Sequence, residues 1–573
     1  MGIVSLFRTI KEGINRLSVN HRQLYCLFVF VLMLVNTILL FTEKMSVTAS
    51  LAFILLPLAI QMLLLAAVRR PGVMFLFLIP KIIIDAFQLV LLKLYGGSVI
   101  AVDMWLNLVT TNPTEAGELL WNIAPIMLFL ICFYIPPIIF AIKSLKNKEA
   151  IASGFRRIAL TCGSAMLVAG MLFLTIAKHS EHGFVVKYDL YPNNVIYNMN
   201  FAIEKLRKFR NYRNTSEDFR YNPVKSDTAK YGKREIYIFM LGETARAENW
   251  SLFGYERKTT PRVDTLQGVI KFPDALTKSN TTHKSVPMTL TPAGGDGAEM
   301  LYRCKSIVTL FKEAGFKTIY LTNHEYRQTF MEYYFKEADV AISVKDPVKN
   351  SHDYQMLEPL QKEIRSSTSN LFIIVHLYGS HFNYHQRYTR EFAAYTPDIA
   401  VNISKKYKQE LINSYDNSIL STDFMIDSVI SMLRREDAAS ALLYASDHGE
   451  DLLDDKRNRF LHASPVPTAY QLQVPFIVWL SENYRESFPR KAAQLEANST
   501  LAVSTTASIF PTMANLASIS SEYVNEELAL SSPEFKEVPR RYITDHDENV
   551  TLDKLMFTEY DYKEFEKRNI KLR

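Results

Sequence analysis

EIYIFMLGET, residues 235–244, runs six apolar side chains together before closing on a glycine, an acid and a threonine. A strand wetted on one face alternates polar and apolar residues, so a run without alternation marks a strand covered on both faces. Four later stretches have the same character: KTIYLTN (317–323), LFIIVHLYGSH (371–381), SALLYASDHGE (440–450) and VPFIVWL (474–480). Between them, 303–315 closes on Gly315 and 405–434 repeats its apolar residues at a helical period. The alternation predicts an α/β domain over 234–573, with a mainly parallel central sheet and helices on both faces. No internal repeat or low-complexity tract interrupts it.

In such sheets ligands bind beyond the carboxyl ends of the strands. Glu243 and Thr244 close the first run, His376 and His381 the third, and Asp447, His448 and Glu450 the fourth. Carboxylates and imidazoles without thiolates suit a borderline divalent ion such as zinc in an open site. Glu243, Asp447 and His448 supply one ion's ligands, and His381 and His462 serve a second ion or the substrate. Two ions clamp the attacking and leaving oxygens of an in-line phosphoryl displacement. A Ser or Thr oxygen is a weak nucleophile until its pKa is lowered, and the loop SNTTHKSVP, 279–287, offers several. His376 reads as a buried structural partner, and Asp416 and Asp423 as helix-face or capping residues.

Upstream, five apolar stretches are long enough to span a bilayer as helices: 23–42, 48–68, 73–94, 121–142 and 158–177. Arg8, Lys11, Arg16 and Arg22 precede the first; Arg69 and Arg70 separate the second and third; Lys143, Lys146, Lys148, Arg156 and Arg157 separate the fourth and fifth. The positive-inside rule therefore predicts a cytoplasmic N-terminus, and five spans carry everything after Lys178 to the other side. A membrane domain over 1–180 is expected. Lys81 and Asp85, at i, i+4 spacing inside the third stretch, are expected to neutralise each other. Asn107, Thr111 and Glu115 share one helical face in the following loop. Residues 194–213 read as a basic amphipathic helix, on the membrane surface or packed on the soluble domain, within a connecting segment over 181–233.

The chain of 573 residues carries 65 Lys and Arg against 59 Asp and Glu, and the excess sits in its first third. The remainder has neither a basic face nor a groove-entering motif, which excludes nucleic-acid recognition. The cysteines, Cys26, Cys132, Cys162 and Cys304, form no readable disulfide framework.

Leu241-Gly-Glu-Thr-Ala-Arg246, Gly254-Tyr-Glu-Arg257 with Thr260-Pro261, Tyr415-Asp-Asn417, Ser446-Asp-His-Gly-Glu450 and Phe460-Leu-His462 together resemble the phosphoethanolamine transferases. These include the lipid A-modifying enzymes behind polymyxin resistance, within the alkaline phosphatase superfamily. The resemblance implies a multi-pass protein of the Gram-negative inner membrane with a periplasmic catalytic domain, expected as a monomer. It implies phosphatidylethanolamine as donor, a lipid A or lipopolysaccharide core acceptor, and one or two zinc ions. By the same resemblance Glu243, Asp447 and His448 bind metal, and His381 and His462 bind a further zinc or the substrate headgroup. The Thr-x-x-Ser-Val-Pro context points to Thr282 as nucleophile and metal ligand, with Thr281 one residue away and Thr244 a competitor. Asn107, Thr111 and Glu115 match lipid-contacting positions.

The chain departs from the family in lacking available disulfides. A substrate-binding lysine of the lipid A enzymes falls near Gln328, beside Arg327, which is the expected replacement. HLYGSH and NSHDYQMLEPL look more like the branch that modifies lipopolysaccharide core sugars. A phosphoglycerol transferase is the nearest rival, a sulfatase lacks its Cys-x-Pro-x-Arg site here, and a non-catalytic envelope sensor or scaffold has no reason to keep Glu243, Thr282, Asp447 and His448 together.

Overall fold

The computed structural model describes residues 20–43, 45–95, 99–110, 113–148, 150–179, 184–325, 330–346 and 350–572. Its first part consists of helices α1 (His21–Thr42), α2 (Val47–Ala67), α3 (Pro71–Phe77), α4 (Ile79–Tyr95), α5 (Val102–Thr110), α6 (Pro113–Lys146), α7 (Ser153–Ala177) and α8 (Asn193–Arg210). α1, α2, α7 and the Ile123–Lys146 part of α6 are each long and apolar enough to cross a bilayer; α3 with α4 meets that test as a pair bent by 55°. Among the described residues the five expected spans are thus four single helices, or five if the bent pair counts as one span. Pro80, the second residue of α4, explains the break, because it has no N–H and its ring crowds the carbonyl of Leu76.

Lys81 Nζ lies 2.7 Å from Asp85 Oδ2, and it also donates to the Leu32 carbonyl. Tyr191 donates its hydroxyl to Asp85 Oδ1 at 2.6 Å. The two charges neutralise each other as expected, so removing one partner leaves the other buried and unpaired. Asp85→Ala is expected to destabilise the membrane helices by about 3–5 kcal/mol. The double change Lys81→Met with Asp85→Leu should recover most of the loss, read as thermal unfolding in detergent.

The chain divides into two compact units, Met1–Ile100 with Asn122–Asn200, and Ala101–Trp121 with Phe201–Arg573. The second is built on seven strands: β1 (Arg234–Gly242), β2 (Val269–Lys271), β3 (Lys317–Thr322), β4 (Val340–Ser343), β5 (Leu371–His376), β6 (Ala438–Ser446) and β7 (Phe476–Leu480). Their order is β2-β7-β6-β1-β5-β3-β4. The five strands from β6 to β4 are parallel, whereas β7 pairs antiparallel with β6 and β2 antiparallel with β7. All five apolar runs are strands. The two strands of this sheet not expected, β2 and β4, are short edge strands, and β4 alternates half-buried and exposed residues.

Central β5 and β6 are buried along their whole length. Phe239, Leu241, Phe372, Ile374, Leu443 and Val478 lie in one apolar core. Burying each such side chain stabilises the fold by about 1.5–3 kcal/mol. Helix α9 (Thr282–Thr289) follows the hydroxyl-rich loop, and α10 (Lys408–Leu433) covers the 405–434 pattern. From Phe201 onward α8 belongs to the second unit: Lys205 is buried 2.7 Å from Asp547, and Phe209 meets Phe330 edge-on at 4.7 Å. All four cysteines are free thiols.

Candidate active site and metal centre

Strand register assembles the site. Gly242 pairs with Ser446 across β1 and β6, and Leu241 with His376 across β1 and β5. Glu243 and the Asp447-His448 pair therefore leave adjacent parallel strands at one level, where the Asp447 N–H donates to the Gly242 carbonyl at 3.1 Å. One ligand atom from each of Glu243, Asp447 and His448 lies within 4.8 Å of the others, and all three residues are buried.

Thr282 opens α9 and sends its hydroxyl into this cluster. Its Oγ1 donates to Glu243 Oε1 at 3.1 Å and stands 3.1 Å from His448 Nε2. His448 Nε2 is also 3.3 Å from Asp447 Oδ2. As the first residue of a helix, Thr282 sits where the macrodipole favours negative charge. The competing hydroxyls are engaged differently. Thr281 precedes the helix and pairs with Ser279 Oγ at 3.2 Å. Thr244 donates to Glu243 Oε1 at 2.7 Å, yet its own backbone is left-handed, with φ 60°.

That left-handed threonine costs about 1–2 kcal/mol, so something must hold it. Tyr415 does: its hydroxyl donates to the Thr244 carbonyl at 2.7 Å and accepts the Arg246 N–H at 2.9 Å. The neighbouring Asp416 accepts from Asn249, Tyr255 and Arg257. Asp423 accepts the backbone N–H groups of Arg262 and Val263. Asp416 thus holds side chains together from a buried helix face and Asp423 holds backbone N–H groups, where a helix-face or capping role was expected of both.

Burial, reinforced by Asp447, pushes the Glu243 carboxyl well above the usual carboxylate range. Glu243 Oε2 is buried without a hydrogen-bond partner. Burial also pushes the His448 imidazole down to about 4 against the pull of Asp447, keeping its lone pair available near neutral pH. Two crowded carboxylates, one orphaned oxygen and a neutral imidazole are a donor set that a divalent cation satisfies. The residues present fit zinc.

His462 has its ring 4.2 Å from that of His448, and its Nδ1 lies 3.0 Å from Glu450 Oε2. Burial lowers His462 to about 4 and raises Glu450 to about 8. Tyr384 donates its hydroxyl to the other Glu450 oxygen. His381 is stacked on Tyr378 at 5.0 Å with Nδ1 2.7 Å from the Phe382 carbonyl; burial, then Arg387 and His462, hold its pKa well below the ordinary value. Thr111, Arg327 and the side chains of Asn107 and Glu115 lie outside the described residues.

Gly379 packs against the turn that carries Glu243 with φ 51°, and a Cβ there would meet the Glu243 carbonyl oxygen at 2.7 Å. Gly379→Ala is expected to displace Glu243 and lower both zinc content and activity about 10–100-fold, the cost of disturbing a ligand's support. Metal analysis beside turnover checks this.

Sequence reasoning missed Asp103, in α5. His283 Nε2 lies 3.1 Å from Asp103 Oδ1 and Lys284 Nζ 2.5 Å from Oδ2, which ties the helix carrying Asn107 to the residues following Thr282. It also missed His324, beyond β3, whose ring lies 4.2 Å from that of His376. Neither residue falls in a recognisable motif.

The Sulfatase family model matches residues 235–519. Phosphoethanolamine transferase EptA of Escherichia coli (strain K12) is 26% identical over 447 residues, covering 74% of this chain and 80% of that protein. The Kdo(2)-lipid A phosphoethanolamine 7''-transferase of the same strain is 31% identical over 278 residues, 46% of this chain and 48% of that protein. Among solved structures, the integral membrane EptA of Neisseria meningitidis aligns over 88% of this chain and 98% of its own, with a TM-score of 0.66 at 19% identity. The C-terminal periplasmic domain of EcEptC from Escherichia coli, in complex with Zn, aligns over 57% and 96%, with a TM-score of 0.51 at 24% identity. Residues 235–519 form a sulfatase domain of the alkaline phosphatase superfamily, in a chain homologous to the phosphoethanolamine transferases.

Proposed function

We propose that this chain is a membrane enzyme that moves phosphoethanolamine from phosphatidylethanolamine to a lipid A or lipopolysaccharide core acceptor at the periplasmic face of the inner membrane. The observation that carries the proposal is the Thr282 hydroxyl, set 3.1 Å from both Glu243 Oε1 and His448 Nε2 at the start of a helix. Apolar helices in the same chain agree with a lipid donor that water cannot present.

In the first half-reaction Thr282 Oγ1 bonds to phosphorus and loses its proton, the bond from phosphorus to the diacylglycerol oxygen breaks, and that oxygen gains a proton. The result is phosphoethanolamine on Thr282 and released diacylglycerol. In the second half an acceptor oxygen bonds to phosphorus, its proton is lost, and the bond to Thr282 breaks and the threonine is reprotonated. His381 and His462, both held neutral at pH 7, are the groups assigned to carry these protons. Zinc held by Glu243, Thr282, Asp447 and His448 would acidify the threonine hydroxyl and draw off charge on the phosphoryl oxygens. The open end of α9 favours the same negative charge.

Mass spectrometry of envelope lipids from cells with and without the chain tests this, using donor lipids labelled in ethanolamine or in glycerol. A phosphoethanolamine gain on lipid A or core, carrying the ethanolamine label, is expected. Transfer of a glycerol headgroup label would point to the phosphoglycerol reaction instead, and no gain on any lipid or glycan would refute transfer.

A further inference from the structure

Glu243 presents its two oxygens to two different surroundings. Oε1 carries Thr244 and Thr282, on the side of Asp447 and His448, whereas Oε2 is buried without a hydrogen bond. Beyond it, the register of three adjacent parallel strands lines up a second set of donors. His376 pairs with Leu241 on one side and Thr322 on the other, so Glu243 and His324 each emerge two residues past the strand position facing His376. One ligand atom from each of Glu243, His324 and His376 lies within 4.8 Å of the others, a group separate from Asp447 and His448.

The hydrogen bonds of the two imidazoles are compatible with ligation. His324 Nε2 lies 2.7 Å from the Leu377 carbonyl, which makes it the protonated nitrogen and Nδ1 the one to ligate. His376 Nδ1 lies 3.3 Å from the Tyr320 hydroxyl, which can accept its proton and leave Nε2 to ligate. Metal-binding histidines are held in this way, with the second nitrogen donating to a carbonyl or other oxygen that orients the ring.

We infer that Glu243, His324 and His376 form a second zinc site, sharing the Glu243 carboxylate with the ion at Asp447 and His448. Two imidazoles and one carboxylate are a zinc donor set that leaves a coordination position open. Metal pairs bridged in this manner act together on phosphoryl groups. His376 then has a role that burial alone does not give it, and a second ion is assigned to histidines other than His381 and His462. The inference rests on the proposed function for the first ion, held by Glu243, Asp447 and His448, and not on the transfer reaction.

Metal titration of the purified, metal-stripped full chain tests it, with zinc counted by elemental analysis and Co(II) followed by its visible absorption. Wild type is expected to saturate at two equivalents, and His324→Ala at one, with the Co(II) bands of the remaining ion kept. Should the alanine variant fail to fold, His324→Gln serves, since its amide can still donate to the Leu377 carbonyl. Wild type saturating at one equivalent, or a histidine variant that still binds two, overturns the second site. Asp447→Asn, which should lose the other equivalent, reports on the first site separately, so failure of one reading is distinguishable from failure of the other.

Discussion

Thr282→Ala is expected to lower transfer by about 10⁴-fold or more, because nucleophile removal in covalent catalysis typically costs that much. Thr282 Oγ1 is the hydroxyl that meets Glu243 and His448 together. Its removal leaves fold and lipid binding in place but no oxygen to carry phosphorus. Thr282→Ser, which keeps the oxygen, should retain measurable turnover. Thr244→Ala provides the contrast. It removes a hydrogen bond to Glu243 from a residue in left-handed backbone, so it should reduce activity far less than Thr282→Ala. Turnover with labelled phosphatidylethanolamine, alongside thermal unfolding, distinguishes the three variants. Equal loss in Thr244→Ala and Thr282→Ala would undo the assignment.

Chelation should be nearly as damaging, and its effect on stability has a predictable sign. Without a cation, burial and the neighbouring Asp447 oppose ionisation of Glu243. Zinc that binds only the folded chain stabilises it by about 4 kcal/mol at a thousandfold excess over its dissociation constant. Wild type treated with chelator should therefore unfold at lower temperature and lose activity, both restored by zinc. Asp447→Asn removes a proposed ligand and also one of the two crowded charges. Its activity should fall by more than about 10²-fold, beyond what disturbing a ligand's support costs, while its unfolding temperature becomes less sensitive to chelator than that of wild type. A wild type whose stability ignores chelation would contradict the zinc reading of this site.

The central sheet was legible because burial on both faces leaves a local mark, as in EIYIFMLGET and the fully buried β5 and β6. The edge strands β2 and β4 lack that mark, being short and partly wet. Membrane helices were legible from length and apolarity, but the bend between α3 and α4 depends on what one proline does to a hydrogen-bond ladder. The metal-ligand types were readable at the strand ends, since a parallel sheet gathers those ends at one edge. The choice between Thr244 and Thr282 was not readable from spacing: Thr244 is next to Glu243 in the chain, while Thr282 reaches the same oxygen from 39 positions away. Asp103 and His283 are separated by 180 positions and meet only through tertiary folding. His324 gains significance only once register sets it beside His376.

The most direct test incubates the purified chain with ethanolamine-labelled phosphatidylethanolamine without acceptor and maps the label by peptide mass spectrometry. Phosphoethanolamine on Thr282, absent in Thr282→Ala and lost on adding acceptor, is the expected result; label on Thr281 or Thr244, or turnover with no labelled threonine, would refute Thr282 as the nucleophile.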